Sequence, residues 1–326
     1  MPPERVFLTG ATGFIGGHVL TALRDAGYPV RALVRPGGRL PPMDGCEVVE
    51  GDVRQSGALV PLLEGCDALI HVAGAYSFAP RDRATLRTVN VGGTRGILEA
   101  ARLAGVRRAV VTSSSSTVGP MRDGRPAPEA DWAPPERHSA YHASKIEQER
   151  AALAARLGPV LVLPTAPVGA GDHRPTPTGA MVLDYVRGRM VGAVDGGLNL
   201  VDVEDAALAH VRALERGRPR ERYLVGGENL DLIEVWRLLA GICDRRAPRL
   251  RVPPGAAIAA GWADELRCRL RPQARPVAPL EGARMARHRY FVDDGKARRE
   301  LGHEPRPVAD ALERAVAWYR EHALVA

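Results

Sequence analysis

The sequence predicts an α/β protein built on a doubly wound parallel sheet with a smaller C-terminal α/β lobe. Short apolar runs bounded by Gly, Pro and polar residues alternate with longer stretches of helical spacing through the first half, the pattern of βαβ units. The runs are nearly continuous in apolar residues rather than alternating, as expected of strands covered on both faces. A glycine-rich turn joins the first run to the first helical stretch, where open α/β sheets bind ligands against a helix N-terminus.

In chain order, strands are expected at Val6–Leu8, Val30–Val34, Val48–Val49, Ala68–Val72, Ala109–Val111 and Val160–Leu163. Helical spacing runs through Gly17–Ala26, Ala84–Leu103 and Ser139–Leu157. The texture then changes: residues 169–195 mix Gly, Pro and Thr, and apolar segments return at Leu198–Val203 and Tyr223–Val225. Residues 231–290 read as a helix, a Pro-rich stretch and an Arg-rich loop, and a final amphipathic helix is expected over Val308–His322. The layout that follows is a nucleotide-binding domain of residues 1–168 with returning segments near 196–230 and 291–304. The substrate lobe takes residues 169–195 and 231–290, with 305–326.

The 326 residues are 45% hydrophobic and 25% charged, the balance of a globular protein with a large core rather than a disordered chain. No apolar run approaches the roughly 18–20 residues of a membrane span, and MPPERVFLTG lacks the apolar region of a signal peptide. The four cysteines lie 20, 177 and 25 residues apart, which suits neither a metal knuckle nor a disulfide framework. A cytoplasmic, reduced and metal-free protein is expected.

The net charge of +7 is carried entirely by residues 241–300, which hold 13 Arg and one Lys against seven acids. Such a segment suits nucleic acid, an anionic substrate or a lipid surface, or is simply a solvated arginine-rich face. No nucleic-acid module accompanies it, so no nucleic-acid partner is expected. The chain has 43 Arg and only two Lys, Lys145 and Lys296. A lysine kept in so arginine-rich a chain points to work that only a compact ammonium can do.

Gly10, Thr12, Gly13, Phe14, Ile15 and Gly16 form a GxxGxxG turn between the first strand and the first helix. Glycines there allow a tight turn and close approach to a pyrophosphate, which the helix N-terminus favours. Between Asp25 and Asp44 the chain has no acid but carries Arg31, Arg35 and Arg39. An acid near that point holds the ribose hydroxyl of NAD, whereas an arginine accommodates the extra phosphate of NADP. Arg35, just past the second strand, therefore favours NADP over NAD. Asp52 and Val53, after the third strand, are expected near the adenine, and Val72, Ala73 and Gly74 against the middle of the cofactor.

Tyr141 and Lys145 stand four residues apart in a helical stretch, so both head groups lie on one face. A nearby ammonium and a positively charged nicotinamide would stabilise a phenolate that is otherwise a poor base at neutral pH. Ser113, Ser114, Ser115 and Ser116 follow the fifth strand, at the carboxyl edge where a hydroxyl can hold a substrate oxygen. A run of four does not say which serine acts. Asn90, one of three asparagines, either holds a water or backbone carbonyl behind Lys145 or serves packing.

TGATGFIGG, the serine run, Asn90 and Tyr141-xxx-Lys145 together resemble the extended short-chain dehydrogenase/reductases of the NAD-dependent epimerase/dehydratase type, over nearly the whole chain. The resemblance implies a Rossmann domain with a smaller substrate lobe. It also implies a catalytic serine at Ser114 beside Tyr141, Lys145 and Asn90, with Tyr141, Lys145 and Pro164 among the cofactor-binding residues. A homodimer is implied by family analogy alone. ALVRP is similar to the dihydroflavonol-4-reductase-like branch. DHRPTPTG, GLNLVDVEDAALAH, ERYLVGGENL and RMARHRYF resemble the hopanoid-associated sugar epimerases, which usually carry His where this chain has Asp202.

The expected function is NADP(H)-dependent hydride transfer to or from a ketone or secondary alcohol. The alternative is a sugar epimerase that oxidises and re-reduces one carbon with its nicotinamide retained. A third reading is an NADP-sensing regulator without chemistry, although such proteins typically lack the Tyr-xxx-Lys pair. The basic segment and the hopanoid likeness suggest a lipid-like or anionic small molecule, with contact to a membrane surface, and Arg284, Arg287 and Arg289 as its anion contacts.

Overall fold

A computed structural model of the chain describes residues 5–38, 45–77, 80–134, 139–190, 192–248, 250–271 and 280–322. The first half runs β1 (Val6–Thr9), α1 (Phe14–Asp25), β2 (Val30–Val34), β3 (Cys46–Glu50), α2 (Val60–Leu63), β4 (Ala68–His71), α3 (Arg83–Leu86), α4 (Thr94–Leu103), β5 (Arg108–Thr112), α5 (Ala140–Ala154) and β6 (Val160–Pro164). The second half adds β7 (Ala166–Val168), α6 (Pro177–Val186), β8 (Gly197–Asp202), α7 (Val203–Arg216), β9 (Arg222–Val225), β10 (Glu228–Asp231), α8 (Leu232–Cys243), α9 (Pro254–Leu270), α10 (Leu280–Met285), β11 (Arg289–Tyr290), α11 (Gly295–Leu301) and α12 (Val308–Glu321).

Seven parallel strands in the order β3-β2-β1-β4-β5-β6-β9 make the main sheet. The two-residue period of a strand sends its side chains to two separate cores. Val6, Leu8, Ala68, Ile70, Val160 and Val162 pack with α1 and α7, whereas Phe7, Leu69, Leu161 and Leu163 pack with α2, α4 and α5. Strand order reverses between β1 and β4, and the carboxyl ends on either side of that point open the crevice where such sheets bind ligands.

A second sheet forms from β10 and β8 in antiparallel pairing, with β7 and β11 pairing parallel to successive halves of β8. Its core is separate: Val168, Val182, Leu183, Leu200, Leu239, Leu312 and Tyr319 pack around Tyr185 and Trp236, whose rings stack at 5.7 Å.

Two segments depart from the expected elements. The continuous helix expected over Ala84–Leu103 is interrupted by a π-helical stretch at Arg87–Gly93. The Pro-rich and Arg-rich stretch contains two helices, α9 and α10. Pro254 sits in the first turn of α9, where a missing N–H is harmless and the fixed φ suits a helix; Ala256, Ala257, Ala259 and Ala260 then favour continuation.

Candidate active site

The glycine turn is shaped by contacts that admit no side chain at two positions. Gly10 has φ +81°, and a Cβ on it would lie 2.6 Å from the backbone nitrogen of Ala73. A Cβ on Gly16 would lie 2.0 Å from the carbonyl oxygen of Gly10. The turn is thus pressed against Val72-Ala73 at the end of β4, while Thr12 and Gly13 remain exposed. Gly13 caps α1 without a side chain, and the first turn holds no acid. Its first N–H groups and the helix dipole are therefore left for an anion. A dinucleotide pyrophosphate fits that cradle, with Phe14 and Ile15 half-buried beside it.

The three arginines following the turn separate by their contacts. Arg31 is committed to structure: its Nε donates to Glu47 at 2.8 Å and its Nη1 to the carbonyls of Leu62 and Glu64. Arg39 lies outside the described residues. Arg35 follows β2 directly, is exposed, and its side chain donates no hydrogen bond among the described residues. Its charge helps hold the Asp52 carboxyl below its usual range, after the larger effect of the Arg54 guanidinium, which pairs with Asp52 at 2.5 Å. Val53 is buried beneath Gly93.

Ser114, Tyr141 and Lys145 meet at the carboxyl end of β5. Burial pushes the Tyr141 phenol up to about 12, and its hydrogen bond with Ser114 opposes that shift. The Lys145 ammonium is 5% exposed and donates to the Thr112 carbonyl at 3.0 Å. Burial lowers it to about 8, against the attraction of Glu149 one turn further along α5. The phenol is thus fully protonated at neutral pH in the protein alone, and the charge expected to activate it is directed at Thr112.

Of the other serines in the run, Ser113 belongs to a buried cluster with Thr117, whereas Ser116 Oγ is buried with no hydrogen-bond partner among the described residues. Ser113 and Thr117 both donate to Oε1 of Glu149, Thr117 at 2.6 Å. The other oxygen of Glu149 faces Arg222 Nε at 2.7 Å. Arg222 also donates to Thr117 Oγ1 at 3.0 Å and to the carbonyls of Glu129 and Asp131, and it lies 4.0 Å over the Trp132 ring. Ser114 caps the short 3₁₀ turn that follows, accepting from the Ser116 N–H at 3.2 Å. Removing Arg222 strands the buried Glu149 charge. Arg222→Met should cost about 3–5 kcal/mol, read from the urea midpoint, and adding Glu149→Gln should restore part of it. Additive losses would show that the pair is not coupled.

Asn90 sits in the π-helical stretch, where an inserted residue turns a side chain inward, often at functional sites. Its Oδ1 accepts from the Ala75 N–H at 2.7 Å, and its Nδ2 donates to the Ala75 carbonyl and to Ser144 Oγ at 3.0 and 2.9 Å. Ser144 in turn donates to the Tyr141 carbonyl at 2.7 Å. Asn90 therefore ties the segment after Gly74 to α5 and makes no bond to Lys145. A second buried chain links the glycine turn to Lys145. Thr9 Oγ1 contacts His71 Nδ1 at 2.7 Å, His71 Nε2 contacts Thr94 Oγ1 at 3.0 Å, and Gln148 donates to Thr94 and, at 3.5 Å, to the Thr112 carbonyl that Lys145 also uses. Burial, with Lys145 nearby, pushes His71 down to about 3, so its ring is neutral. His210, held near 4 by burial, bonds Thr112 Oγ1 at 2.8 Å.

Glu149, Arg222, His71 and Gln148 were not singled out from the sequence. Glu149 alone carried a signal there, being four residues beyond Lys145 as Lys145 is beyond Tyr141. Tyr76, 4.2 Å from the Tyr141 ring and 47% exposed, was also not anticipated. Pro164 ends β6 at the same edge, buried beside Val225. Asp202 does not face this site. It caps α7 and pairs with Arg306 and Arg314. Arg289 is held by Asp231 and Asp195 at 2.6 and 3.0 Å.

A doubly wound sheet with a glycine cradle at its switch point and a Tyr-xxx-Lys helix at its carboxyl edge defines a dinucleotide-dependent enzyme of short-chain dehydrogenase/reductase type. The profile of the NAD dependent epimerase/dehydratase family matches residues 6–226, and the chain belongs to that family. A Synechocystis sp. protein provisionally named dihydroflavonol 4-reductase is 38% identical over 98% of this chain and 95% of its own length. Sterol demethylase protein B of Methylococcus capsulatus is 34% identical over 98% and 99%. The crystal structure of gox2253 superposes with a TM-score of 0.87 at 34% identity, covering 99% of this chain and 100% of the other. Further relatives are named as 3β-hydroxysteroid dehydrogenases and a farnesyl-dihydroquinoline-oxide ketoreductase, and further solved folds as an epimerase and a dehydratase. The chain is an NAD(P)-dependent oxidoreductase-type enzyme.

Proposed function

We propose that the enzyme uses NADP(H) to exchange hydride with the carbonyl or carbinol carbon of an apolar, lipid-like substrate. The observation that carries this reading is the Ser114–Tyr141 hydrogen bond beside a buried Lys145, with Ser113 and Thr117 committed elsewhere. Bound along the crevice, a nicotinamide supplies or accepts the hydride. Ser114 Oγ and Tyr141 Oη hold the substrate oxygen, and Tyr141, protonated at neutral pH, gives it a proton during reduction. Lys145 has three N–H donors, of which one goes to Thr112; the others suit ribose hydroxyls, and its charge favours the phenolate left behind. Asn90 acts as a positioning residue through Ala75 and Ser144.

Gly10, Thr12, Gly13, Phe14, Ile15 and Gly16 would hold the pyrophosphate, Val72, Ala73, Gly74 and Pro164 the central part, and Asp52 and Val53 the adenosine. The exposed Arg35 at the end of β2 supports NADP through its guanidinium. Arg35→Ala should weaken NADPH binding at least about tenfold and leave NADH binding nearly unchanged, in a fluorescence titration. Equal loss for both nucleotides would remove Arg35 from the phosphate site. The apolar character of the substrate is supported by the sterol and farnesyl compounds in the relatives' names, and by the exposed Tyr76 ring, which lies tilted against Tyr141.

A sugar epimerase is the second reading, favoured by a solved nucleoside-diphosphate-sugar epimerase of Pseudomonas aeruginosa at 26% identity and a TM-score of 0.82. Unfolding the purified protein and identifying the nucleotide released separates the two. An exchangeable site preferring NADPH supports the reductase, and tightly retained NAD supports the epimerase.

A further inference from the structure

Eight large apolar side chains are strongly exposed among the described residues, and four of them, Leu250, Trp262, Leu266 and Leu270, fall between residues 250 and 270. Trp262, Leu266 and Leu270 recur at four-residue steps on α9, a spacing that sets them along one helix face. They are 51, 57 and 74% exposed, whereas Asp264 is 8% exposed. A helix of a water-soluble surface does the reverse. The inner face of α9 packs on α10: a Cβ on Gly261 would lie 2.8 Å from Leu280 Cα. The apolar stripe is thus directed away from the protein's own core.

The charge around the stripe identifies what would cover it. Residues 245–289 hold eleven Arg and three acids, Asp264, Glu265 and Glu281, a net of +8 in a chain whose total is +7. Arg269 pairs with Glu265 at 2.7 Å yet remains 67% exposed, and Arg284 lies 5.7 Å over the Trp262 ring with its side chain 52% exposed. Leucines and an indole flanked by the exposed guanidinium groups of Arg269 and Arg284 match the interface of an anionic bilayer. There the apolar groups reach the acyl boundary and the arginines reach lipid phosphates. No described helix is long and apolar enough to cross a membrane, so this contact would be interfacial. The same helix pair adjoins the candidate site: Glu281 of α10 hydrogen-bonds Ser139, the cap of α5, and lies 3.6 Å from His142, next to Tyr141.

We propose that the exposed face of α9 docks on an anionic lipid surface, bringing the Tyr141 end of α5 close to the bilayer. This surface does not depend on the hydride chemistry, and the test uses neither substrate nor nucleotide. The full chain is sedimented with vesicles of phosphatidylcholine alone, or containing about one-third phosphatidylglycerol. Binding at least about tenfold tighter to the anionic vesicles is expected, weakening as salt is raised. Trp262→Glu/Leu266→Glu should abolish that binding with no change in the thermal midpoint. Leu270→Ser, at the most exposed of the three positions, should weaken it in a form least able to disturb folding. Failure to bind anionic vesicles, or equal binding by the variants, overturns the proposal. So does a solution dimer that the double variant splits, because a second copy would then cover the stripe.

Discussion

Tyr141→Phe is expected to lower the rate of ketone reduction about 10³-fold, the scale of losing a positioned proton donor. The substitution removes one hydroxyl and leaves the ring in its contact with Tyr76. The lost hydrogen bond to Ser114 should cost only about 1 kcal/mol of stability, and affinity for NADPH should hold. Ser114→Ala should show a smaller loss in the same direction, because Tyr141 then approaches the substrate oxygen without its partner. A binder that senses NADP without chemistry would have no rate to lose and would be indifferent to Tyr141→Phe. Full activity in Tyr141→Phe would mean that another group supplies the proton.

Lys145→Met should separate activity from stability in opposite directions. Turnover should fall by about 10²–10⁴-fold, the range for losing general acid–base assistance, which the proposed chemistry assigns to Tyr141 with Lys145 beside it. Stability at neutral pH should hold or rise, since the variant no longer carries a cation that burial disfavours. The sign follows from proton binding. The folded Lys145 titrates near 8, against 10.5 for an ordinary lysine. Between those values the unfolded chain binds a proton that the folded chain does not, and stability from this group rises with pH. Tyr141 acts oppositely above pH 10, because it stays protonated to about 12 when folded. Wild type should therefore gain stability relative to Lys145→Met from pH 8 to 10, measured by urea midpoints at each pH. A parallel pair of curves would show that Lys145 titrates normally.

The strands and the Tyr-Lys pair were legible because both are local patterns. Short, nearly continuous apolar runs marked β1, β4 and β6 to within a residue or two, and the i, i+4 pair needed only the pitch of a helix. What the sequence concealed depends on distant partners or on cancelling signals. Glu149 and Arg222 are 73 residues apart in the chain and meet only because β9 joins the sheet beside β6. Ser114 is set apart from its neighbours by its hydrogen bond with Tyr141, 27 residues away, while Ser113 is taken up by Glu149. The π-helical stretch around Asn90 has no Pro to announce it, since it adds a residue to a helix rather than ending one. Residues 254–270, expected as part of a Pro-rich stretch and an Arg-rich loop, form α9, because Pro254 in the first turn starts a helix; with Trp262, Leu266 and Leu270 outward, no polar outer face marks it. At Asp202 sequence position says nothing about direction; its carboxylate turns toward Arg306 and Arg314.

The most direct test follows the hydride itself. NADPH carrying deuterium on the transferable position is incubated with the enzyme and a panel of apolar cyclic ketones, and product and nucleotide are examined by mass spectrometry. The proposed chemistry predicts one deuterium on the carbinol carbon for each NADP formed, with formation about 10³-fold slower in Tyr141→Phe. Deuterium retained in the nucleotide, with a sugar substrate inverted at one carbon and no net oxidation of NADPH, would contradict it and establish an internal redox cycle.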